Sequence, residues 1–145
     1  MTKGEIAVNN FKTGLNCCQA VVLAFKEQLG LDELTLKKFS IGFGGGLGRQ
    51  RLTCGAVSGM CMVISALKSD GVDKLKIYSL IQEACAEFKE QTGSLICGEL
   101  LDAQSALNTN PKPEERTEAY YKNALARKCA VLPQFLLKSI LNKFY

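Results

Sequence analysis

The chain has 145 residues and contains no histidine. It therefore cannot supply His-ligated zinc, haem held by a proximal histidine, or Ser-His and Cys-His catalytic arrangements. No run approaches the roughly 18 apolar residues that a membrane-spanning helix requires. The N-terminus also lacks the apolar segment of a secretory signal. We therefore expect a cytoplasmic protein that does not insert directly into a membrane.

Charge of either sign is modest, because charged residues make up 22% of the chain and the formal net charge is +4. The basic residues form no run, so the sequence gives no indication of nucleic-acid binding. Apolar residues make up 47%, which suits a globular protein with a buried core. The length suits one domain spanning residues 1–145.

Cysteine, in contrast, is plentiful. The seven cysteines are Cys17, Cys18, Cys54, Cys61, Cys85, Cys97 and Cys129. No two of them form a CxxC motif, so neither a thioredoxin motif nor a zinc ribbon fits. The cytoplasm keeps thiols reduced, and this argues against a structural disulfide framework.

Apolar residues recur at steps of three and four, and we find no convincing alternating strand, so the sequence predicts an all-α fold. The clearest helix covers residues 72–92 and ends at Gly93. The other predicted helices cover residues 17–29, 32–40 with Asp32 as cap, 54–69, 95–102, 113–128 and 129–144. These segments predict a bundle of about six or seven helices.

Two predicted helices begin at cysteines. Asn16 and Gln19 have the spacing of a capping box, which would place Cys17 and Cys18 in the first helical turn. Thr53 would cap the next such helix and place Cys54 in its first turn. Free N–H groups and the positive end of the helix dipole favour a thiolate at such positions.

The segment "GFGGGLGRQR" lies between these two helices, at residues 42–51. Gly44, Gly45 and Gly46, together with Arg49 and Arg51, are candidate cofactor-binding residues, because flexible backbone can point N–H groups at an anion. The arginines would also add positive charge near the cysteines. The segment lacks the spacing of a phosphate-binding loop, however, and no strand precedes it. We therefore favour a tight crossover that packs against small residues.

The cysteines other than Cys18 divide into two groups by position. Cys85 lies on an apolar helical stripe and Cys61 lies two turns beyond Cys54, so we interpret both as packing residues. The remaining candidates for chemistry lie near predicted helix ends. They are Cys17, Cys54, Cys97 and Cys129.

The sequence resembles a family of small proteins that is named for a C-GCAxxG-C-C pattern and whose redox activity is inferred from its cysteines. The matching stretches are "GLNCCQAV" at 14–21, "GFGGGLGRQRLTCGAVSG" at 42–59, "CGELL" at 97–101 and the cysteine of "ARKCAVL" at 126–132. The resemblance implies that Cys17, Cys54, Cys97 and Cys129 are the functional cysteines. Position 18, where the family usually has a small residue, lies outside the pattern. Family members are often encoded near transporter genes, which implies a transport-linked partner.

Two kinds of function fit these observations. The first is an oxidoreductase-like protein whose four cysteines carry out thiol–disulfide exchange, or bind an iron–sulfur cluster or zinc for electron transfer. Its redox partner protein or small-molecule substrate is unknown from the sequence. The second is a non-catalytic binding module in which the cysteines pack and the glycine-rich loop forms a ligand or partner surface.

Overall fold

The structure is a computed structural model that describes residues 1–101 and 106–111 of the chain. The described helices are α1 Lys3–Lys12, α2 Cys17–Ala24, α3 Lys26–Leu29, α4 Glu33–Ser40, α5 Gly44–Leu47, α6 Gly55–Lys68, α7 Lys74–Thr92 and α8 Cys97–Leu100. A 3₁₀ turn, Ile41–Phe43, precedes α5. The described residues contain no β-strand, and the all-α prediction is confirmed. None of the helices in these two ranges is long and apolar enough to cross a membrane.

Local capping residues define several helix ends as the sequence predicts. Asp32 caps α4, since its carboxylate accepts a hydrogen bond from the Thr35 N–H at 2.9 Å. Gly93 ends α7 in the left-handed conformation, with φ 95°. The predicted helices 113–128 and 129–144 lie outside the described residues.

One helix prediction needs correction, and one helix was not predicted. The segment predicted as one helix over 17–29 divides at Phe25, which is both the C-cap of α2 and the N-cap of α3. Helix α1 was not predicted, although its start has a complete capping box. Thr2 accepts a hydrogen bond from the Glu5 N–H, and the Glu5 carboxylate accepts one from the Thr2 N–H.

Helix α2 is the centre of the described fold. It packs against α1, α4 and α6, while α6 also packs against α7. All residues of α2 after Cys17 are buried. Phe11, Phe25 and Phe88 are fully buried in the surrounding core. Burying an aromatic side chain of this size contributes about 1.5–3 kcal/mol, so these contacts fix how the helices meet.

Two glycines one turn apart allow the backbones of α2 and α6 to approach closely. A Cβ added at Gly59 would lie 3.0 Å from the carbonyl oxygen of Cys18 and 3.1 Å from the Cβ of Val21. A Cβ added at Gly55 would lie 3.2 Å from the Cys18 backbone nitrogen. These separations are shorter than ordinary van der Waals contact, so larger residues would push the helices apart. The small residues at the start of α6 therefore accommodate α2.

Candidate functional site

Cys54 lies at the N-terminus of α6, the helix that packs against both α2 and α7. It is the N-cap residue, and Gly55 is the first helical residue. The prediction that Thr53 caps this helix is wrong by one position, because Thr53 instead forms an isolated antiparallel bridge with Ile96. Cys54 is only 2% exposed.

Cys97 lies across this bridge from Cys54. The Cys54 N–H donates to the carbonyl of Leu95 at 2.8 Å, and the Cys97 N–H donates to the carbonyl of Leu52 at 2.6 Å. The two hydrogen bonds flank the bridged pair, so Cys54 and Cys97 are diagonal neighbours on one face of it. Diagonal neighbours of this kind have Cα atoms roughly 7–8 Å apart. A disulfide requires Cα atoms no more than about 6.8 Å apart, so a bond between the two cysteines would require the two backbone segments to move closer.

Cys97 has a positively charged neighbour. Nη1 of Arg51 lies 3.9 Å from the Cys97 sulfur, and Cys97 is half-buried as the first residue of α8. Burial raises the pKa of Cys97, and the hydrogen bond from Arg51 opposes that rise. A negative charge on Cys54 raises it further, whereas the charges of Arg51 and Arg49 lower it. The Arg51 guanidinium is therefore placed to stabilise a Cys97 thiolate once one forms.

Both arginines of the glycine-rich segment are tied to a later part of the chain. Nε of Arg49 donates to the carbonyl of Asn110 at 2.7 Å, and Nε of Arg51 donates to that of Asn108 at 3.1 Å. Both arginines have left-handed backbone conformations, with φ near +65° and +62°. The contacts hold the segment around residues 108–110 close to Cys97.

The three glycines predicted as cofactor-binding residues contact protein atoms. A Cβ on Gly44 would lie 2.7 Å from the Cβ of Asn16, and one on Gly46 would lie 2.7 Å from the Cβ of Cys97. A Cβ on Gly45 would lie 2.8 Å from the Cγ of Arg49. Gly45 and Gly46 also have φ of 66° and 77°, which glycine adopts without strain. This packing favours the tight crossover over a cofactor cradle.

Cys17 begins α2 beside the start of α6. The predicted capping box is confirmed, because the Gln19 N–H donates to Oδ1 of Asn16 at 2.9 Å and the Asn16 N–H donates to Oε1 of Gln19 at 3.1 Å. A Cβ added at Gly55 would lie 3.3 Å from the Cβ of Cys17. Cys17 therefore lies against the residue that follows Cys54 in the chain.

Three of the four candidate cysteines thus lie around the first turn of α6. They are Cys17, Cys54 and Cys97, while Cys129 lies outside the described residues. Within residues 1–101 and 106–111, no three His, Cys, Asp or Glu side chains are grouped closely enough to hold a metal ion. The joint chemical role of the four cysteines stays a prediction.

The other three cysteines have different surroundings. Cys18 is fully buried, and burial together with the charge of Cys54 raises the pKa of Cys18 to about 12. Its thiol contacts the sulfur of Met62 at 3.9 Å. Cys61 and Cys85 are half-buried and face each other between α6 and α7. No sequence pattern pairs these two positions, since their contact depends on how the two helices pack.

The family comparison agrees with the positions of these cysteines. The family model described as "Putative redox-active protein (C_GCAxxG_C_C)" matches residues 15–140. The chain belongs to this family. Searches of the curated proteins and of the solved structures gave no match. The family membership confirms the resemblance found in the sequence. It places the chain in a family that is described as redox-active.

Proposed function

We propose that this C_GCAxxG_C_C protein is a thiol–disulfide oxidoreductase whose site combines Cys17, Cys54 and Cys97 with Cys129. The observation that carries the proposal is the clustering of the first three cysteines around the first turn of α6. A dithiol site needs one thiol that a partner can reach and a second thiol that can displace the partner. The cluster offers both.

Cys17 is the entering nucleophile in this proposal. It is half-buried, whereas Cys54 is almost completely buried. It also occupies the first position of a capped helix, where the helix dipole favours a thiolate. A partner disulfide would therefore meet Cys17 before it could meet Cys54.

The exchange then proceeds in two balanced steps. The Cys17 thiolate attacks one sulfur of the partner disulfide, which forms a mixed disulfide and releases one partner thiolate. Cys54, after losing its proton, attacks the Cys17 sulfur, which forms an intramolecular disulfide and releases the second partner thiolate. The Cys97 thiolate, which Arg51 would stabilise, can attack Cys54 and release Cys17 as a thiolate, which leaves a Cys54–Cys97 disulfide. A cytoplasmic dithiol must then reduce this disulfide to two thiols, and is itself oxidised to a disulfide, before the next cycle.

The experiment compares the reduced full chain with single serine variants of the four cysteines. Each protein is mixed with glutathione disulfide, quenched with acid and analysed by peptide mass spectrometry. Cys17→Ser should abolish the mixed disulfide on the peptide of residues 13–26, and Cys54→Ser should trap it on Cys17 in that peptide. Cys18→Ala is the matched control, because it removes the neighbouring thiol that lies outside the family pattern. Circular dichroism verifies that each variant retains its helices.

Two results would replace this proposal. Iron with sulfide, or zinc, that anaerobically purified protein retains and the four serine variants lose would assign the cysteines to a cluster or metal site. If all four variants lose stability and none changes thiol exchange or metal content, the chain is a binding module.

The cytoplasm suits the proposed chemistry, since thiols there stay reduced between cycles. The proposal also includes a redox partner. The resemblance to proteins encoded near transporter genes favours a transport-linked protein in that role. The same proposal treats residues 1–145 as one domain.

A further inference from the structure

A second pair of thiols lies outside the cysteine pattern of the family. Cys61 is in α6 and Cys85 is in α7, and both pack against the main hydrophobic core. A hydrogen bond between the two thiols is the first cause of the pKa shift of each, so the side chains are neighbours across the interface between the two helices. The two helices that carry them pack against each other. The pair shares no residue with the site around the first turn of α6.

The hydrogen bond makes the two thiols unequal. The Cys61 thiol donates to the Cys85 sulfur, and this lowers the pKa of Cys85 to about 7. The same hydrogen bond, together with burial and the charges of Cys85 and Cys18, raises the pKa of Cys61. Cys85 therefore carries substantial thiolate at neutral pH, while Cys61 keeps its proton. A reactive thiolate beside a second thiol is the arrangement of an attacking and a resolving cysteine.

The described structure has space for a small molecule beside Cys61 and exposed side chains near the half-buried Cys85. Cys61 lines an open cavity of about 690 Å³, a volume within the usual range of small-ligand sites. The remaining lining residues are Phe43, Thr53, Ser58, Met62, Ser65 and Ala66. On α7, Gln82 and Lys89 lie about one turn from Cys85 and are both exposed. Lys89 also adds positive charge on the side of Cys85.

We propose that Cys61 and Cys85 form a second redox site, which accepts a disulfide from a low-molecular-weight disulfide and holds it as a crosslink between α6 and α7. This inference does not depend on the function proposed for the other cysteines. The chemical class of substrate is a small, flexible disulfide of the glutathione type.

The reaction balances without any further reagent. The Cys85 thiolate attacks one sulfur of the small disulfide, the bond between its two sulfurs breaks, and one thiolate leaves and takes up a proton. The Cys61 thiol then loses its proton and attacks the Cys85 sulfur, which releases the second small thiolate. In total, two protein thiols are oxidised to one disulfide, and one small disulfide is reduced to two thiols.

The test uses the reduced full chain and glutathione disulfide at pH 7, followed by acid quenching, alkylation and tryptic digestion. In the wild type, the peptide of residues 77–89, which contains Cys85, should become crosslinked to the peptide of residues 52–68. That second peptide contains both Cys54 and Cys61, so fragmentation spectra must assign the bond to Cys61. Cys17 and Cys97 lie on other peptides, so exchange at the first site is measured separately.

Three variants sharpen the test. Cys61→Ser should accumulate glutathione on Cys85, because the resolving thiol is gone. Cys85→Ser should lose the crosslink and leave Cys61 as a thiol. Cys17→Ser, which alters only the other site, should form the crosslink as the wild type does.

The wild-type measurement alone can overturn the inference, so it does not depend on any variant folding. Cys61 and Cys85 that both remain reduced after prolonged exposure to glutathione disulfide, in protein with native circular dichroism, would overturn it. Glutathione trapped on Cys61 in the wild type, with Cys85 unmodified, would do the same. A crosslink from Cys85 to Cys54 instead of Cys61 would also contradict it.

Discussion

The hydrogen bond between Cys61 and Cys85 should determine how Cys85 reacts. In the variant Cys61→Ala the donor is lost, while the burial of Cys85 remains. The pKa of Cys85 should therefore rise from about 7 at least to the ordinary value of 9.0, because the burial that raises it is unchanged. The sign follows from the charge, because the hydrogen bond stabilises the thiolate and its loss favours the protonated thiol.

The size of the effect can be worked out from these two values. At pH 7, about half of Cys85 is thiolate when its pKa is about 7, and about 1% is thiolate when its pKa is 9.0. The more basic thiolate is intrinsically more nucleophilic, by about eightfold over this interval with a Brønsted coefficient of about 0.45. The fiftyfold loss of thiolate and this gain combine to an expected sixfold slower reaction at pH 7.

The order should reverse in alkaline solution. At about pH 10 both proteins are mostly thiolate at Cys85, so the variant should react several times faster than the wild type. The two pH–rate profiles should cross near pH 8 on the same arithmetic. A merely structural effect of the substitution would shift both ends of the profile in one direction, so the crossing is specific to the hydrogen bond.

The assay follows glutathione attached to the peptide of residues 77–89 during short reactions from about pH 5.5 to 10. Cys61→Ser is the matched control, because its hydroxyl can still donate a hydrogen bond. It should shift the profile less than Cys61→Ala. Because Cys61→Ser cannot form the crosslink, each glutathione that reacts with Cys85 stays attached and is counted. Profiles with the same midpoint in the serine and alanine variants would refute the reasoning.

Four further predictions test the fold and both proposed sites. The raised pKa of Cys18 means that the folded chain keeps a proton that the unfolded chain loses above about pH 9. Stability should then fall by up to about 1.4 kcal/mol per pH unit between pH 9 and 12, and urea unfolding of Cys18→Ala should show a shallower decline. Gly46→Ala should cost about 2–5 kcal/mol through its left-handed backbone and its contacts, while Gly42→Ala, which meets no atom within 4 Å, should change stability little. Arg51→Ala should raise the pKa of Cys97 further and slow its alkylation at neutral pH, whereas Arg51→Lys should retain part of the effect. The proposed crosslink between α6 and α7 closes a loop of about 25 residues, so oxidation should add about 3.5 kcal/mol to the free energy of unfolding.

Features that depend on neighbouring residues in the chain were predictable. The capping box of Asn16 and Gln19, the cap at Asp32 and the end of α7 at Gly93 all use side chains or backbone within one turn. Helix α1 has the same kind of signal in Thr2 and Glu5. It was missed because its apolar residues are too few to show a clear period.

Features that depend on distant parts of the chain were not predictable. Thr53 has the right chemistry for a helix cap, but its pairing with Ile96, 43 positions further along, moves the cap to Cys54. The contact between the guanidinium of Arg51 and the sulfur of Cys97 was likewise not predicted. Both differences arise because one bridge brings two segments together, and no local pattern encodes that bridge.

The close spacing of glycine and cysteine in this family has a physical explanation in the fold. Gly55 and Gly59 let the backbone of α2 lie against α6, and this contact brings Cys17 beside the residue that follows Cys54. Gly46 similarly makes room for the Cβ of Cys97. The glycines that resemble a ligand-binding loop in the sequence are therefore the residues that allow the cysteines to approach one another. Larger residues at these positions would separate the thiols without altering any of them, so thiol exchange should depend on the glycines as well as on the cysteines.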